Sequence, residues 1–230
     1  MRLNLHHPSR YAPRLAYLGA VLALAAAALV PAVAYAGAQV YEQLSASVRA
    51  RLQKAVSDQP VPADAFNGDR DAQIWLEVMS RRLERRLPAK AERDDLLRSV
   101  LYESRRAGLD PELVLGLIQV ESNFRKYAVS TAGAMGYTQV MPFWVKEIGT
   151  PSQSLFHLRN NLRYGCVILR HYLDIERGNL FRALGRYNGS LGQPEYPNLV
   201  LAAWKNSWTY TVHATDRNGA PHGPVASTRY

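Results

Sequence analysis

The chain is 230 residues long, with 47% hydrophobic and 20% charged residues, which is ordinary for a globular protein with one sizeable core. Its formal net charge is +9. The single cysteine, Cys166, excludes an intrachain disulfide and a metal site built from cysteines. Leucines recur around Cys166 at helical spacing, which favours a buried small side chain over a reactive thiol.

Residues 1–36 differ from the rest of the chain. Three arginines and no acidic residue precede an uncharged, alanine-rich run at 15–36. The Ala-Tyr-Ala sequence at 34–36 fits signal-peptide cleavage before Gly37. The run would also serve as an uncleaved anchor, since about 20 apolar residues span a bilayer. Both interpretations predict export to the periplasm or cell envelope, and the processing pattern favours cleavage.

The charge that follows this segment indicates the kind of partner. Three of the nine net positive charges belong to residues 1–36, so the remainder carries +6. In an exported protein, a basic surface favours an anionic cell-wall polymer or membrane headgroups and makes nucleic acid an implausible partner. We expect a monomer without a cofactor or a metal site.

Residues 37–68 precede the main folded region. An amphipathic helix is predicted at 38–57, followed by a linker with proline and glycine breakers that runs to Asp69. The folded domain is predicted to span 69–213.

The folded domain has the apolar spacing of helices. Its first apolar stripe runs from Ile74 to Leu87, and Pro88 ends it. Further helices are predicted at 89–107, 111–122, 138–148, 160–176 and 179–187. No alternating run is long enough for a substantial sheet, so the fold class is mainly α with little or no β-sheet.

Two other segments have less regular patterns. Alternation of Trp208, Tyr210 and Val212 with polar residues predicts a short strand, and the polar composition of 214–230 predicts a loosely ordered tail. Four arginines on the first predicted helix favour a solvated face, with a polymer-binding patch as the alternative. They are Arg81, Arg82, Arg85 and Arg86.

Glu121 is the candidate for acid chemistry. Asp110 and Pro111 are good residues for a helix start, and at about 100° per residue they place Glu121 on the apolar face, away from Gly116 and Gln119. A desolvated carboxyl binds its proton more tightly and can donate it near neutral pH. The alternative is a side chain that turns to solvent or pairs with the arginine four residues later.

A run of small residues follows Glu121. Ser130, Gly133 and Gly136 form a turn that would let backbone amides approach a ligand. Gln139 offers a hydrogen-bond donor and acceptor, and Met141 an apolar surface, which together suit a polar ring with an apolar face. The alternative is a tight loop packed against a helix.

Several sequence blocks resemble the signature of the soluble lytic transglycosylases, which belong with the goose-type lysozymes. The blocks are Glu121-Ser122-x-Phe124, Ala128-x-Ser130, Ala132-Gly133-Ala134-Met135-Gly136, Gln139-Val140-Met141-Pro142, Asn161-Leu162-x-x-Gly165 and Ala183-x-x-x-Tyr187-Asn188-Gly189. They occur in the family's order across about 95–201. Ser190 stands where the family commonly continues with Pro-Gly, which puts the subsite preference in doubt.

The resemblance implies a lysozyme-like helical domain that cleaves the β-1,4 bond between N-acetylmuramic acid and N-acetylglucosamine in peptidoglycan. It implies that Glu121 is the acid and base, and that Tyr187 hydrogen-bonds near Glu121 and positions it. The residues that it implies for sugar contact are Ser130, Gln139, Met141, Tyr187 and Asn188. Without the resemblance, Tyr187 would be interpreted as a core aromatic at a helix end.

The resemblance also implies a mechanism that needs one carboxylate. Glycosidases commonly use two, but no second acidic residue is tied to this site by the sequence. The substrate's N-acetyl oxygen would stabilise the reacting carbon, and its own C6 hydroxyl would attack it to close a 1,6-anhydro ring. Two alternatives stay open: a muramidase that uses water as nucleophile, and a wall-binding protein without turnover.

Overall fold

The computed structural model describes residues 39–57, 61–62 and 64–210. Within these ranges the chain forms eight α-helices, a terminal π-helix and no strand, which confirms the mainly α prediction. The elements are α1 (Ala46–Val56), α2 (Arg70–Leu83), α3 (Lys90–Arg106), α4 (Pro111–Ser122), α5 (Phe143–Ile148), α6 (Leu158–Ile175), α7 (Leu180–Asn188), α8 (Glu195–Ala203) and the π-helix (Trp204–Trp208). The predicted signal or anchor and the predicted tail lie outside the described residues.

Helix α4 begins and ends as its sequence predicts. The Asp110 side chain accepts hydrogen bonds from the amides of Glu112 and Leu113, and Pro111 occupies the first turn. At the other end, Asn123 adopts a left-handed conformation with φ of 48°. The position of Glu121 in the last turn is therefore fixed by caps at both ends of the helix.

Two predicted helices are shorter than expected. The helix predicted at 38–57 begins only at Ala46, because the Ser45 hydroxyl caps it by accepting from the amide of Val48. Residues 39–45, here called the N-terminal arm, are not helical. The helix predicted at 138–148 begins only at Phe143, since the preceding residues form a loop that ends in Pro142.

The end of the folded region differs from the prediction. Trp208 lies in the π-helix, so the strand predicted from Trp208 to Val212 is wrong at its first residue. Tyr210 has no regular structure, and Val212 lies outside the described residues. Helix α8, which the sequence reading missed, leads directly into the π-helix, and both pack on α4.

This packing covers the side of α4 that carries Gly116 and Gln119. A Cβ atom on Gly116 would lie 2.9 Å from the backbone nitrogen of Trp204. The indole of Trp208 donates to Oε1 of Gln119 at 2.9 Å. Helix α4 is thus buried on two sides, and its interior end is shielded from water.

The arginines at 81–86, which lie at the end of α2 and in the turn after it, are only partly a solvated face. Arg82 donates to the carbonyl oxygens of Ser207 and Thr209, and the Arg86 guanidinium lies 5.9 Å from the ring centre of Trp208. These two arginines therefore hold the π-helix against α2. Arg81 remains largely exposed.

Helices α3 and α6 are joined through a buried ion pair. Nη2 of Arg163 donates to Oε1 of Glu103 at 2.7 Å, and neither side chain is accessible to water. Cys166 lies in α6 and is buried, as its spacing predicted. Burial raises the pKa of its thiol, which excludes a nucleophilic thiolate at neutral pH. Within the described ranges, no helix has both the length and the apolarity needed to cross a membrane.

The close approach at Gly116 gives a stability test. An exposed Gly→Ala change in a helix stabilises by up to about 1 kcal/mol, whereas an added methyl in a tightly packed contact costs about 1–3 kcal/mol. We expect the contact with Trp204 to dominate, so Gly116→Ala should lower the free energy of unfolding measured with urea. A net stabilisation would contradict this packing of α4 on the π-helix.

Candidate active site

Glu121 lies in the last turn of α4 with only 3% of its side chain exposed. Its Oε1 accepts a short hydrogen bond from the hydroxyl of Tyr196, while Oε2 is buried and has no hydrogen-bond partner among the described residues. Burial raises the pKa of Glu121 to about 8, although the bond from Tyr196 acts in the opposite direction. The carboxyl is therefore protonated at neutral pH.

The alternative that Glu121 turns to solvent or pairs with Arg125 is wrong. Nε of Arg125 donates instead to the carbonyl oxygen of Ser122, at 3.0 Å. The Ser122 hydroxyl in turn donates to the carbonyl oxygen of Tyr137 at 2.8 Å. This bond ties the end of α4, next to Glu121, to the loop that follows.

Tyr196 is the site residue that the sequence reading missed. It lies in the first turn of α8 and is buried. Pro194 and Pro197 obscured this helix, because proline is usually read as a breaker. Helical spacing of the buried residues Tyr196, Val200 and Ala203 was the signal that would have revealed it.

The loop at 123–142 is held together by the residues predicted to contact sugar. Nε2 of Gln139 donates to the carbonyl oxygens of Ala128 and Gly136, at 3.2 and 2.9 Å. The Ser130 hydroxyl oxygen accepts from the amide of Ala134 at 3.0 Å. Both side chains thus have a structural role in the loop, and their contact with sugar stays a prediction.

Asn161 of α6 connects this loop to the helical core. Its Oδ1 accepts from the Thr138 amide at 2.9 Å, and its Nδ2 donates to the carbonyl oxygens of Met135 and Leu155 at 2.8 and 3.0 Å. The Thr138 hydroxyl also donates to Oδ1 at 2.9 Å. Every hydrogen-bonding position of the buried carboxamide is therefore used.

Two glycines make this connection possible. A Cβ on Gly136 would lie 2.3 Å from Nδ2 of Asn161, and its φ of 77° also favours glycine. A Cβ on Gly165 would lie 2.5 Å from the Thr138 hydroxyl oxygen. Gly136 therefore allows the loop to pack against α6, as the alternative interpretation predicted. It does not serve the approach of a ligand.

Tyr187 forms a hydrogen bond near Glu121 but not with its carboxyl, and its role in positioning Glu121 stays a prediction. The Tyr187 hydroxyl donates to the carbonyl oxygen of Thr138 at 2.7 Å, and the hydroxyl that holds Glu121 belongs to Tyr196. Tyr187 is nevertheless a neighbour of Glu121, because the carboxylate helps to raise the pKa of its phenol, after the larger effect of burial. Tyr187 supports the wall of the site through Thr138.

Asn188 lies at the end of α7, beside a cavity. Its Nδ2 donates to the Ser190 hydroxyl oxygen at 2.9 Å, and its Oδ1 is buried without a partner among the described residues. Asn188, Glu195 and Tyr196 all line this cavity. Since Tyr196 also contacts Glu121, the cavity lies next to the acid.

Met141 completes the set of predicted residues. Its side chain is half-buried, and its backbone amide donates to Oε1 of Gln39 in the N-terminal arm at 3.2 Å. In the described part of the chain, no group of three or more His, Cys, Asp and Glu side chains lies close enough to hold a metal ion.

A family model described as "Transglycosylase SLT domain" matches residues 99–196. This segment is an SLT domain. It runs from the middle of α3 to the first turn of α8, so it includes Glu121, Tyr196 and all five residues predicted for sugar contact. The SLT domain occupies somewhat less than half of the chain.

Three curated relatives each match part of the chain. Membrane-bound lytic murein transglycosylase C of Mannheimia succiniciproducens is 45% identical over 75 residues, which are 29% of this chain and 21% of the relative. The transglycosylase of Enterobacteria phage PRD1 is 34% identical over 93 residues, or 40% and 34% of the two chains. Membrane-bound lytic murein transglycosylase C of Cronobacter sakazakii is 34% identical over 109 residues, or 40% and 30%. The chain thus spans about a fifth to a third of the length of these relatives.

One solved structure is also similar: an inactive mutant of the lytic transglycosylase Slt from Pseudomonas aeruginosa. The TM-score is 0.39 and the identity 17%, with 74% of this chain and 35% of that chain covered.

The Asn161 carboxamide uses all of its hydrogen-bonding positions. A substitution at this residue therefore tests how the SLT domain holds its loop. Asn161→Asp keeps the shape but replaces two donors with an acceptor that faces two carbonyl oxygens. We expect it to lower the free energy of unfolding by about 3 kcal/mol or more. The control is Asn160→Asp, whose side chain makes one long bond to the Ser154 carbonyl oxygen. Equal effects of the two changes would contradict the role of Asn161.

The raised pKa of Glu121 predicts a pH-dependent stability of the SLT domain. Between about 4.5 and 8, the folded carboxyl holds a proton that the unfolded one has lost, so the wild type loses stability as the pH rises through this window. Glu121→Gln cannot lose that proton. We expect equal stability of the two proteins near pH 4.5 and an advantage of about 3–5 kcal/mol for the variant above pH 8.

Urea unfolding at several pH values measures this difference. Glu112, whose pKa burial also raises to about 8, is present in both proteins and cancels in the comparison. A difference that stays constant with pH would show that Glu121 is not a high-pKa group.

Proposed function

We propose that this chain is a peptidoglycan lytic transglycosylase of the cell envelope. It cleaves the β-1,4 bond between N-acetylmuramic acid and N-acetylglucosamine and leaves a 1,6-anhydromuramoyl end. The observation that carries the proposal is the protonated, buried carboxyl of Glu121 within an SLT domain. Next to it lies a cavity that is lined by seven residues. The names of the relatives, two of them lytic murein transglycosylases, support the same reaction.

In the first step Glu121 acts as the acid. Its proton passes to the glycosidic oxygen, the bond from C1 of the muramic acid breaks, and N-acetylglucosamine leaves with a free hydroxyl. Oε1 is held by the Tyr196 hydroxyl, so the unpartnered Oε2 is the atom suited to carry and deliver the proton. A pKa of about 8 keeps the acid form populated at neutral pH.

In the second step Glu121 acts as the base. The N-acetyl oxygen of the muramic acid stabilises the electron-poor C1, and the Glu121 carboxylate takes the proton of the C6 hydroxyl of the same sugar. That oxygen bonds to C1 and closes the 1,6-anhydro ring, which restores the protonated Glu121. The nucleophile is already attached to the substrate, which gives it an advantage over water.

The surroundings of Glu121 favour this one-carboxylate route over a two-carboxylate hydrolase. Among the described residues, only burial and the Tyr196 bond shift its pKa, whereas a second carboxylate nearby would raise it further by repulsion. Several other acidic side chains are engaged in ion pairs, as Glu103 is with Arg163 and Glu176 with Arg182 and Arg186. Glu195 lines the adjacent cavity and is the carboxylate to test.

We propose the following setting for the reaction. The segment 1–36 directs the chain out of the cytoplasm, and its apolar run provides membrane association if it is not cleaved. The remaining charge of +6 attracts anionic wall polymer. Ser130, Gln139, Met141, Tyr187 and Asn188 form the walls that contact the glycan, and the enzyme acts as a monomer without a cofactor.

Digestion of purified sacculi tests the reaction. Wild-type protein should release muropeptides with 1,6-anhydro ends, and Glu121→Gln should reduce the release by at least about a hundredfold, because no other group delivers the proton. Glu195→Gln is the matched control, an exposed glutamate beside the same cavity, and should stay within a few-fold of wild type. Mass spectrometry of the products identifies the reaction.

Three outcomes would contradict the proposal. Products heavier by one water would identify a hydrolase, and loss of activity in Glu195→Gln would make Glu195 its second carboxylate. Wild-type protein that sediments with sacculi but releases nothing would be a wall-binding protein. Full activity of Glu121→Gln would exclude Glu121 as the acid.

A further inference from the structure

Gln39, the first residue of the N-terminal arm, lies inside the candidate active site. Gln39 has only 4% of its surface exposed, although it precedes the first helix and lies outside the SLT domain in sequence. Its Oε1 accepts from the backbone amide of Met141 at 3.2 Å, and its side chain is close enough to Tyr187 to affect the pKa of that phenol. Met141 and Tyr187 are two of the five residues predicted to contact sugar.

The rest of the arm is attached to the outside of the domain by specific contacts. The Tyr41 ring packs edge-on against Phe143 with centroids 5.6 Å apart, and its hydroxyl donates to Oε1 of Glu147 at 3.2 Å. Glu42 forms an ion pair with Arg186 at 3.0 Å. These contacts join the arm to α5 and α7.

The chemistry of Gln39 matches that of the substrate. A glutamine carboxamide presents one carbonyl oxygen and an N–H donor, as does the acetamido group on each sugar of a peptidoglycan strand. The Met141 amide, which donates to Gln39, is a donor of the kind that would bind an acetamido oxygen.

The fit of Gln39 is incomplete. Its Nε2 is buried and forms no hydrogen bond of good geometry with the described residues, although the Gln39 side chain interacts with the Tyr187 hydroxyl. A buried donor without a good partner costs free energy. Gln39 therefore binds the domain less strongly than a fully hydrogen-bonded side chain would. A ligand that offers an acetamido oxygen to Met141 and satisfies its own N–H would displace the arm.

We propose that the N-terminal arm occupies an acetamido site of the cleft, so that the arm and the glycan compete for the Met141 amide and the arm must leave before cleavage. This inference rests on the proposed function, because it takes the cleft to be a glycan site. It holds for either fate of the leader segment, since cleavage before Gly37 would leave Gln39 as the third residue. The arm is thus a competitive inhibitor within the chain.

The experiment compares three variants in the full chain. Gln39→Ala removes the carboxamide, and Glu42→Ala breaks the ion pair with Arg186 without touching the cleft. Gln53→Ala, an exposed glutamine on α1, is the matched control. The probe is the tetrasaccharide of N-acetylglucosamine, with binding measured by calorimetry in a Glu121→Gln background so that no cleavage occurs.

We expect Gln39→Ala to bind the tetrasaccharide about fivefold more tightly, which is the value of one net hydrogen bond. Glu42→Ala should bind about twofold more tightly, because exposed ion pairs contribute little. The control should bind as the parent does. With Glu121 restored, the same two variants should show a lower KM on sacculi and an unchanged kcat.

Weaker binding by Gln39→Ala would make Gln39 a sugar-binding residue and overturn the inference, as would unchanged binding by both arm variants. These results are distinct from failure of the proposed function. If the parent and the arm variants bind in the expected order but none releases products from sacculi, the function fails and the inference stands. If the wild type releases anhydro products and the arm variants bind no better, the inference fails and the function stands.

Discussion

The carboxamide of Asn161 is the interaction on which the candidate site depends. It lies on α6, the longest of the described helices, and its four hydrogen bonds fix three separate points of the irregular chain, Met135, Thr138 and Leu155. Thr138 then accepts the hydroxyl of Tyr187 through its carbonyl oxygen. A loop with only isolated β-bridges thereby acquires a defined shape, since its polar groups are satisfied by one rigid helix.

The domain contains two buried glutamates whose surroundings give them opposite properties. Glu103 lies against the Arg163 guanidinium, which provides a complementary charge and hydrogen bonds. Among the described residues, the partner of Glu121 is a neutral phenol, so burial favours its protonated form. Placing an arginine beside Glu121 would remove the property that makes it an acid. For the pKa of Glu121, the lack of a neighbouring cation among the described residues is therefore as important as the hydrogen bond from Tyr196.

The sequence pointed to Glu121 as the candidate acid because helix caps leave visible signals. Asp110 and Pro111 determine where α4 begins, and the start of the helix determines the direction of Glu121. The partner of the acid could not be found in this way. Two tyrosines are close to the site, and only the three-dimensional arrangement shows that Tyr187 binds a backbone carbonyl while Tyr196 binds the carboxyl. The resemblance pointed to Tyr187 near Glu121, and the structure adds Tyr196 as the residue whose hydroxyl contacts the carboxyl.

A similar limit applies to the loop. The residue types of Ser130, Gly136 and Gln139 suit both a ligand-binding turn and a turn that packs on a helix. The choice at Gly136 depends on Asn161, which is 25 residues away in sequence and adjacent in space. Long-range contacts of this kind are not encoded in local spacing. The arm was missed for the same reason, because nothing in the sequence around Gln39 indicates a partner beyond residue 130.

The burial of Gln39 has a practical consequence for handling the protein. Gln39, the first residue of the N-terminal arm, lies beside Met141, so a purification tag or fusion partner joined just ahead of residue 39 would start next to Met141. Such an attachment would change the occupancy of the site before any substrate is added.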